Sequence, residues 1–534
     1  MARLSRRIAL VAGCALGFAG LASAQGRGGA SWNTAGNDAQ RTSFVATDPN
    51  ISVPNLQKPG FQYLWKVKAN NDARQDQSLS QALTVASYIG YRGFRSYAFV
   101  GGSSNNAIAL DSDLGRIEWA RHFDVPNPPA GTAACPGGMT AGVTRPTTLG
   151  ISAVAAAPVA AAAGRGAVAA VGQPNQGAVQ IAAVAAGGGR GGRGGSGGGG
   201  RGPAAFGAND LFAVSSDGML HVMYMSNGAD AMAPIRFLPA NANASGIIYT
   251  ERDIVVGTKN NCGGVANGVY AIDMIGPDKT VSVWKSNGGS VVGTAFSPDG
   301  TVFATTADGD YSPAAFSDSV VALNGKGLAM KNYFTPSKSD FTTSPVVFTW
   351  QGKELVAAGN KDGHVYLLDA ASLGGADHKT PLAQSTSLGN ILSGDISTFE
   401  ADGTRWILAP VSGALNSATR YAGNNGAVTN GAIVAFKVVN QGGKPSLQAA
   451  WSSRDLTVPQ TPAIVNGVVF AVSGGDAQHA AVLYALDGST GKDLWNSGTT
   501  MTSFTRSGVS GSASQLYVST HDSTIYTFGF PLEK

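Results

Sequence analysis

Charged residues and cysteines are both scarce in this chain. Of its 534 residues, 13% are charged and three are cysteine, with no two cysteines adjacent. No CxxCH segment is present, which excludes covalent attachment of a c-type haem. The six histidines are spread along the chain without an HxH or HExxH pattern, so a zinc site is not indicated. Sustained helical periodicity is also absent, whereas Val, Thr, Ser and Gly dominate, which favours an all-β fold of short strands and tight turns.

The net charge of +4 is misleading, because it comes from two segments that carry no acidic residue. Residues 1–24 contain three arginines and residues 151–205 contain four, so the rest of the chain has a net charge of −3. A mildly acidic body argues against nucleic acid as a partner.

Residues 1–24 have the features of a secretory signal peptide. A basic start, MARLSRR, precedes an apolar run, and Ala22-Ser23-Ala24 forms a cleavage site of the A-x-A type. The apolar run is shorter than the roughly 20 residues that a membrane-spanning helix needs, which disfavours an uncleaved anchor. The segment VAGC, ending at Cys14, resembles a bacterial lipoprotein box and leaves lipidation open as a minor alternative. We therefore expect an exported protein, periplasmic or extracellular, with no transmembrane span.

One short pattern recurs along the chain. LYALDGSTGKDLW begins at Leu483, AIALDSDLGRIEW at Ala107 and VYAIDMIGPDKTVSVW at Val269, with a weaker copy, VYLLDAASLGG, at Val365. Each copy contains an apolar strand, an Asp and a glycine-containing turn, and three of the copies end in Trp. A repeated unit of this size cannot bury its apolar face alone, so the copies must pack against one another.

Eight such units can be placed by their second strands. We assign these strands to residues 97–101, 211–215, 254–258, 302–306, 355–359, 406–410, 468–472 and 516–519. Four antiparallel strands in a unit of about 40 residues predict an eight-bladed β-propeller. The last unit lacks a fourth strand, and the isolated strand 63–68 near the N-terminus is expected to supply it and to close the ring.

The propeller is predicted to span residues 61–534, preceded by an irregular N-terminal arm at 25–60. An Ala/Gly/Arg-rich tract at 151–205 interrupts it between the first and second units. This composition cannot bury enough apolar area to offset the entropy of ordering, so we interpret the tract as a disordered insertion. RGG-like runs can bind RNA, but this tract has no aromatic residues, which favours a plain linker.

The repeat ALDGSTGKDLW, from Ala485, resembles the AxDxxTGxxxW repeat of the pyrroloquinoline-quinone (PQQ) propeller family. That family contains quinoprotein alcohol and glucose dehydrogenases, and also non-enzymatic propellers such as the lipoprotein subunit of the outer-membrane barrel assembly machine. The resemblance covers roughly residues 62–530 apart from the insertion. In the repeat, Asp can accept backbone N–H bonds, Gly supplies a positive φ and Trp can pack between blades. We therefore assign a structural role to the blade tryptophans, Trp65, Trp119, Trp284, Trp451 and Trp495.

The resemblance is specific for architecture and weak for activity. Dehydrogenases of the alcohol type carry a vicinal disulfide over the cofactor, and this chain has no adjacent cysteines. They also hold Ca²⁺ with acidic and amide side chains, use an Asp as the base and place a Trp beneath the cofactor. None of these positions can be matched in this sequence, so no catalytic residue is assigned.

The long polar loops indicate where a ligand would bind. Three loops between second and third strands are long, and they begin near Thr258, Thr306 and Val411. All three are expected on one face of the propeller, close to its central channel. The candidate ligand residues on this face are Asp308, Asp310, Arg420, Tyr421 and Asn424. The two aspartates do not form a complete calcium-loop motif, so the metal stays unassigned.

Cys135 and Cys262 are expected on this same face in neighbouring blades. They are the two cysteines left after removal of the leader, and pairing is common in exported proteins. A disulfide between them is therefore a candidate, provided that their Cα atoms lie within about 7 Å.

The leading prediction is a non-catalytic binding or scaffold module, monomeric and without a cofactor, that presents one loop-rich face to a protein partner or a small ligand. The alternative is a PQQ- and Ca²⁺-dependent dehydrogenase of alcohols or sugars. A third hypothesis is a hydrolase or lyase on a propeller scaffold, but the sequence shows no group of catalytic residues that would support it. An enzyme requires convergent charged side chains over a deep funnel, whereas a scaffold requires a broad patch and no deep site.

Overall fold

The fold is nearly all β. A computed structural model describes residues 31–90, 93–125, 131–150, 207, 209–250, 252–336, 338–389 and 392–531. The predicted leader at 1–24 and the predicted insertion at 151–205 lie outside the described residues. The described strands form eight sheets, each with a core of four neighbouring antiparallel strands. The predicted eight-bladed propeller is confirmed, and each predicted second strand falls within or overlaps an observed one.

Two strands and a helix precede the first blade: β1 (Phe44–Val45), α1 (Val53–Leu56) and β2 (Gln62–Lys68). Blade 1 contains β3 (Leu83–Gly90), β4 (Gly93–Gly102), β5 (Asn106–Asp111) and β6 (Arg116–His122). Blade 2 contains β7 (Val143–Thr144), β8 (Asp210–Val214), β9 (Met219–Tyr224) and β10 (Ile235–Arg236). Blade 3 contains β11 (Asn243–Tyr249), β12 (Asp253–Lys259), β13 (Gly268–Asp273) and β14 (Val281–Lys285). Blade 4 contains β15 (Ser290–Phe296), β16 (Val302–Ala307), β17 (Val320–Leu323) and β18 (Met330–Phe334).

Blade 5 contains β19 (Val346–Trp350), β20 (Lys353–Gly359), β21 (Val365–Asp369) and β22 (Ala383–Gln384). Blade 6 contains β23 (Ser397–Ala401), β24 (Thr404–Ser412), the short β25 (Gly423–Asn424), β26 (Gly431–Gln441) and β27 (Lys444–Ser452). Blade 7 contains β28 (Ala463–Val465), β29 (Val468–Ser473), β30 (Val482–Asp487) and β31 (Asp493–Asn496). Blade 8 contains β32 (Ser510–Ser512), β33 (Gln515–Ser519) and β34 (Thr524–Gly529). Single 3₁₀ turns lie at Cys262–Gly264 and Gly375–Asp377.

The N-terminal strand β2 closes the ring. It pairs antiparallel with β34, with Val67 opposite Ile525, and it occupies the fourth position of blade 8. This confirms the predicted closure, which leaves blade 8 without the open edge that three strands alone would present.

The first strand of each blade lies innermost. First strands of successive blades contact one another around the ring, as β3 does with β32 and β15 with β19. Middle strands such as β5 are buried along their whole length, because both of their faces pack against neighbouring blades. Outer strands such as β6 are mostly exposed or half-buried. We call the face with the loops between second and third strands the loop face, and the opposite face, with the first–second and third–fourth hairpins, the hairpin face.

The Asp, Gly and Trp of the repeat form the contacts between adjacent blades. Asp487 begins the turn of blade 7, where its Oδ1 accepts the N–H groups of Ser489 (2.8 Å) and Thr490 (3.1 Å). Gly491 then adopts a φ of 71°, and Trp451 of blade 6 lies directly over it, with its indole N–H donating to the Gly488 carbonyl at 3.0 Å. The same arrangement places Trp65 over Gly115 and Trp119 over Gly228. Trp284 and Trp495 also pack against the following blade.

The N-terminal arm fills the centre of the ring. Residues 31–48, which the sequence indicated only as irregular, bond to the first strand of every blade or to its adjoining turn. The contacts run in order around the ring: Trp32 with Thr84, Asn33 with Arg145, Thr34 with Ile247, Ala39 with Phe296, Gln40 with Val347, Thr42 with Thr398, Ser43 with Ile464 and Asp48 with Ser514. β1 extends this contact by pairing parallel with β28. Trp32, Thr34 and Gln40 are fully buried as a result.

Candidate functional site

A disulfide fastens the longest loop of blade 3 on the loop face. Cys135, in the connection before blade 2, is bonded to Cys262, and their Cα atoms are 5.5 Å apart. The neighbouring Ala134 carbonyl accepts bonds from the amides of Asn243 (3.0 Å) and Asn260 (2.7 Å). The structure thus contains the candidate disulfide, which joins the connection before blade 2 to the β12–β13 loop of blade 3.

The loop at 413–430 turns outward, so three of the five candidate residues lie away from the axis. Asn424, in β25, pairs parallel with Ser452 of β27, which is the outer strand of blade 6. Tyr421 packs against apolar residues of blades 5 and 6, and burial raises the pKa of its hydroxyl. Arg420 is exposed. The expectation that this loop borders the channel is therefore not met. The loop lies against the outer part of blade 6, because Tyr421 packs on apolar side chains there and Asn424 pairs with the outer strand β27.

The loop at 308–319 lies close enough to Lys259 for the charge of Asp308 to interact with the Lys259 amine. Asp308 and Asp310 are both exposed. The Asp310 carboxylate lies 3.1 Å from the Lys338 amine, and the backbone N–H of Asp308 donates to Asp340 Oδ1 at 2.9 Å. These two candidates are therefore part of a charged surface on blades 4 and 5.

Four charged side chains interact electrostatically near the arm, and we call them the axial site: Arg41, Lys259, Asp308 and Asp395. The arm reverses direction in a turn at 34–37, with Asn37 N–H bonded to the Thr34 carbonyl. Beside this turn, Arg41 donates to the carbonyls of Ala35 and Gly246, each at 3.0 Å, and to that of Thr294.

Asp395 forms the opposite wall of the axial site. It lies before β23, where its Oδ1 accepts the Ser344 N–H at 2.6 Å and its own N–H donates to Thr461 at 2.8 Å. Lys259 ends β12, three blades away in a ring of eight, yet its charge interacts with those of Asp395 and Arg41.

Burial dominates the electrostatics of the axial site. It lowers the pKa of the Lys259 amine, an effect that Asp395 and Asp308 oppose and the charge of Arg41 reinforces. Burial also lowers the pKa of Arg41, although the charges of Asp395 and Asp38 act to raise it. Burial raises the pKa of Asp38 to about 6. A partly buried lysine amine close to carboxylates can bind a polar ligand through hydrogen bonds and charge.

A carboxyl pair lies next to the axial site. Burial, followed by the neighbouring Asp340, raises the pKa of Asp318 to about 7, and Asp318 is 1% exposed. The pKa of Asp340 is lowered, because the Lys361 amine, 2.6 Å from its Oδ2, favours its ionised form despite partial burial. The two carboxyls therefore share one proton near neutral pH. Sequence reasoning missed this pair, since its members are 22 positions apart and belong to different loops.

Blade 2 contains a Ser–His–Asp row that the sequence also did not reveal. Ser215 Oγ lies 3.0 Å from His221 Nε2, and His221 Nδ1 lies 3.9 Å from Asp230. Both oxygens of Asp230, however, accept bonds from Arg121 at 2.7 Å, and Ser215 donates to Asp217 within its own turn. His221 stacks on Phe123 with ring centroids 4.0 Å apart. This row holds blades 1 and 2 together, and its His–Asp distance is too long for a hydrolase relay.

PQQ and Ca²⁺, which the family resemblance implies, do not fit the axial residues. PQQ carries carboxylates that call for cationic donors, but Arg41 donates through Nε, Nη1 and Nη2 to three backbone carbonyls that hold the arm, which leaves Lys259 as the one other cation of the axial site. The arm also occupies the axis through bonds to all eight blades. In the described part of the chain, no three His, Cys, Asp or Glu side chains converge closely enough to hold a metal ion.

Comparison with solved structures identifies dehydrogenase propellers as similar. The quinohemoprotein alcohol dehydrogenase ADHIIG of Pseudomonas putida HK5 matches with a TM-score of 0.58 and 12% identity, over 94% of this chain and 81% of that one. The quinohemoprotein alcohol dehydrogenase of Comamonas testosteroni matches with a TM-score of 0.54 and 11% identity, over 94% and 81%. A europium-containing methanol dehydrogenase matches with a TM-score of 0.53 and 10% identity, over 94% and 98%. No protein-family model and no curated protein sequence matches.

These similarities show the fold alone, because identities of 10–12% carry no residue correspondence. The resemblance to PQQ-type propellers is thereby confirmed at the level of architecture. Within the described residues, none of the helices is long or apolar enough to cross a lipid bilayer.

Proposed function

We propose that this protein is an exported, non-catalytic binding propeller whose loop face holds a partner or a small polar ligand at the axial site. The observation that carries the proposal is the arm at 31–48, which fills the channel through bonds to every blade. A propeller whose centre is occupied by its own chain has a rigid, shallow face in place of a deep funnel, which suits binding better than enclosed chemistry.

The axial site supports recognition of a ligand with both polar and charged groups. Lys259 supplies an ammonium group, and Asp308 and Asp395 supply carboxylates around it. The disulfide between Cys135 and Cys262 fixes the loop that begins at Lys259, so the amine is positioned before a ligand arrives. The same disulfide supports export, because such bonds persist in oxidising compartments.

The alternative remains a PQQ- and Ca²⁺-dependent dehydrogenase, which the shared fold favours. Calorimetric titration of the chain from Gln25 with PQQ, with and without Ca²⁺, separates the two functions. We expect no heat of binding in either titration. Tight, Ca²⁺-dependent binding together with oxidation of an alcohol by an artificial electron acceptor would reverse the assignment.

A thermal-shift screen of small charged metabolites tests the axial site directly. We expect a ligand that raises the melting temperature of the wild type and of Lys353→Met, but leaves that of Lys259→Met unchanged. Lys353 is exposed at the start of β20 on the hairpin face and serves as the matched control. Equal stabilisation of all three proteins would place the ligand elsewhere and contradict the proposed site.

A further inference from the structure

Three charged side chains of the axial site have no ion-pair partner. Charges beside them are paired, as the Lys361 amine is with Asp340 at 2.6 Å. Among the described residues, however, no carboxylate oxygen lies within 4.0 Å of the Lys259 amine, and no cationic nitrogen lies that close to the carboxylates of Asp308 and Asp395. Lys259 and Asp395 are half-buried and Asp308 is exposed, so a small molecule can reach all three groups.

The innermost strand of blade 4, β15, brings Lys259 and Asp308 close together. Ser290 begins this strand, and its Oγ accepts the Asn260 N–H at 2.9 Å. Asn260 directly follows Lys259 in the chain. Ser290 also pairs with Ala307, the residue before Asp308. Lys259 and Asp308 therefore lie near each other at the start of β15, where the second strands of two neighbouring blades end.

The same strand supports Asp395. Gly293, three residues after Ser290, has no room for a side chain, because an added Cβ would lie 2.6 Å from the Ser344 Cβ. Ser344 in turn donates its backbone N–H to Asp395 Oδ1 at 2.6 Å. Three residues of a strand span about 10 Å, so one small molecule can bridge the supports of Lys259 and Asp395.

The charges of the axial site favour a ligand with more positive than negative groups. Arg41 donates to three backbone carbonyls, and the charge of the nearby Asp38 offsets its own. What is left is one ammonium group, on Lys259, and two carboxylates, on Asp308 and Asp395, which lie within electrostatic range of it. The complement of this set is a molecule with one carboxylate and two cationic groups.

We propose, building on the ligand function proposed for the loop face, that the axial site binds a free amino acid with a cationic side chain, such as lysine or arginine. Its α-carboxylate contacts the Lys259 amine, and its α-ammonium and side-chain cation contact Asp308 and Asp395. Hydrogen bonds between ionised groups are roughly twice as strong as neutral ones, so each of these contacts favours a charged ligand over a neutral one. The carbon chain between the two cationic groups lets one molecule reach carboxylates on separate loops.

Calorimetric titration of the chain from Gln25 near neutral pH tests the ligand class. We expect L-lysine and L-arginine to bind roughly tenfold more tightly than L-glutamine, because glutamine lacks the second cation. L-glutamate should not bind, since its additional carboxylate is repelled by the two aspartates. The diamine cadaverine is lysine without the carboxylate, and it should bind roughly tenfold more weakly than lysine.

Substitutions in the axial site separate the contacts. Lys259→Met should weaken lysine binding roughly tenfold and leave cadaverine binding undiminished, because only the carboxylate loses its partner. Asp308→Asn should reduce the preference for lysine over glutamine. Lys353→Met and Asp402→Asn, both exposed on the hairpin face, are the matched controls and should bind like the wild type. A variant that fails to fold would lose every ligand alike, so the change of ligand preference identifies the contact.

Failure of lysine and arginine to bind would overturn the proposal, and so would equal affinities for lysine, glutamine and glutamate. An unchanged ligand preference in Lys259→Met and Asp308→Asn would also contradict it. If another small charged ligand binds and is lost in Lys259→Met, the amino-acid assignment is wrong and the proposed function stands. If no ligand depends on Lys259, the proposed function fails as well.

Discussion

At the scale of single residues, Gly491 shows why the repeat keeps a glycine in its turn. A Cβ there would meet Trp451 at 2.4 Å, and the φ of 71° already disfavours other residues. The glycine thus permits both the turn and the close approach of the neighbouring blade.

We expect Gly491→Ala to lower the free energy of unfolding by about 2–3 kcal/mol, because it adds a clash with a buried Trp to the backbone strain. Gly467→Ala is the matched control, since Gly467 has a φ of 80° with no atom within 4 Å of the added Cβ. It should cost only about 1 kcal/mol. Denaturant titration of both variants measures the difference, and equal losses would contradict the role assigned to the Trp–Gly contact.

Asp318 should make stability depend on pH. Its pKa rises from 3.8 to about 7 in the folded protein, so folding favours its protonated form. The resulting stabilisation is fully present below pH 4 and is lost as the pH rises through about 7. Asp318→Asn imitates the protonated carboxyl, and we expect it to raise the melting temperature by about 1–2 °C at pH 8 and to leave it nearly unchanged at pH 4. A shift of the same size at both pH values would exclude a titrating Asp318.

At the scale of elements, the arm at 31–48 is the segment with the most unusual role. It has almost no regular secondary structure, yet it supplies hydrogen bonds to eight separate blades. Its order therefore depends on the ring around it.

We expect Arg41→Ala to destabilise the protein by about 3 kcal/mol or more. The substitution removes three bonds from a buried guanidinium and leaves the carbonyls of Ala35, Gly246 and Thr294 without that donor. Arg420→Ala, at an exposed position on the blade 6 rim, should change stability by less than about 0.5 kcal/mol. Chemical denaturation followed by tryptophan fluorescence compares the two, and similar values would show that the arm is not anchored through Arg41.

At the scale of the whole molecule, closure and the arm can be separated by truncation. A chain starting at Gly60 keeps β2 but lacks the arm, and a chain starting at Ala69 lacks both. We expect the first to remain monomeric with a lower melting temperature, and the second to self-associate through the open edge of β34. Size-exclusion chromatography with light scattering distinguishes these outcomes. A monomeric second chain would show that β2 is not needed to protect that edge.

Much of the architecture could be predicted from the sequence, because the Asp–Gly–Trp pattern is local and repeats. The second strands and the closing strand β2 follow from apolar runs bounded by turn residues. The course of the arm could not be predicted, since its partners are mostly backbone groups that leave no pattern in the sequence. The axial site was missed for a related reason: Arg41, Lys259 and Asp395 are far apart in the chain and meet only once the ring is closed.

The arm also has a consequence for the order of events in folding. It is synthesised before any blade, but its last anchor, the bond from Ser514 to Asp48, spans 466 positions and requires blade 8. The arm is therefore made before every blade but is among the last segments to dock, because the 466 residues from Pro49 to Ser514 must be synthesised first. High contact order of this kind slows folding. We expect docking of the arm to be the slowest step of folding. Docking can be completed only after all eight blades have formed.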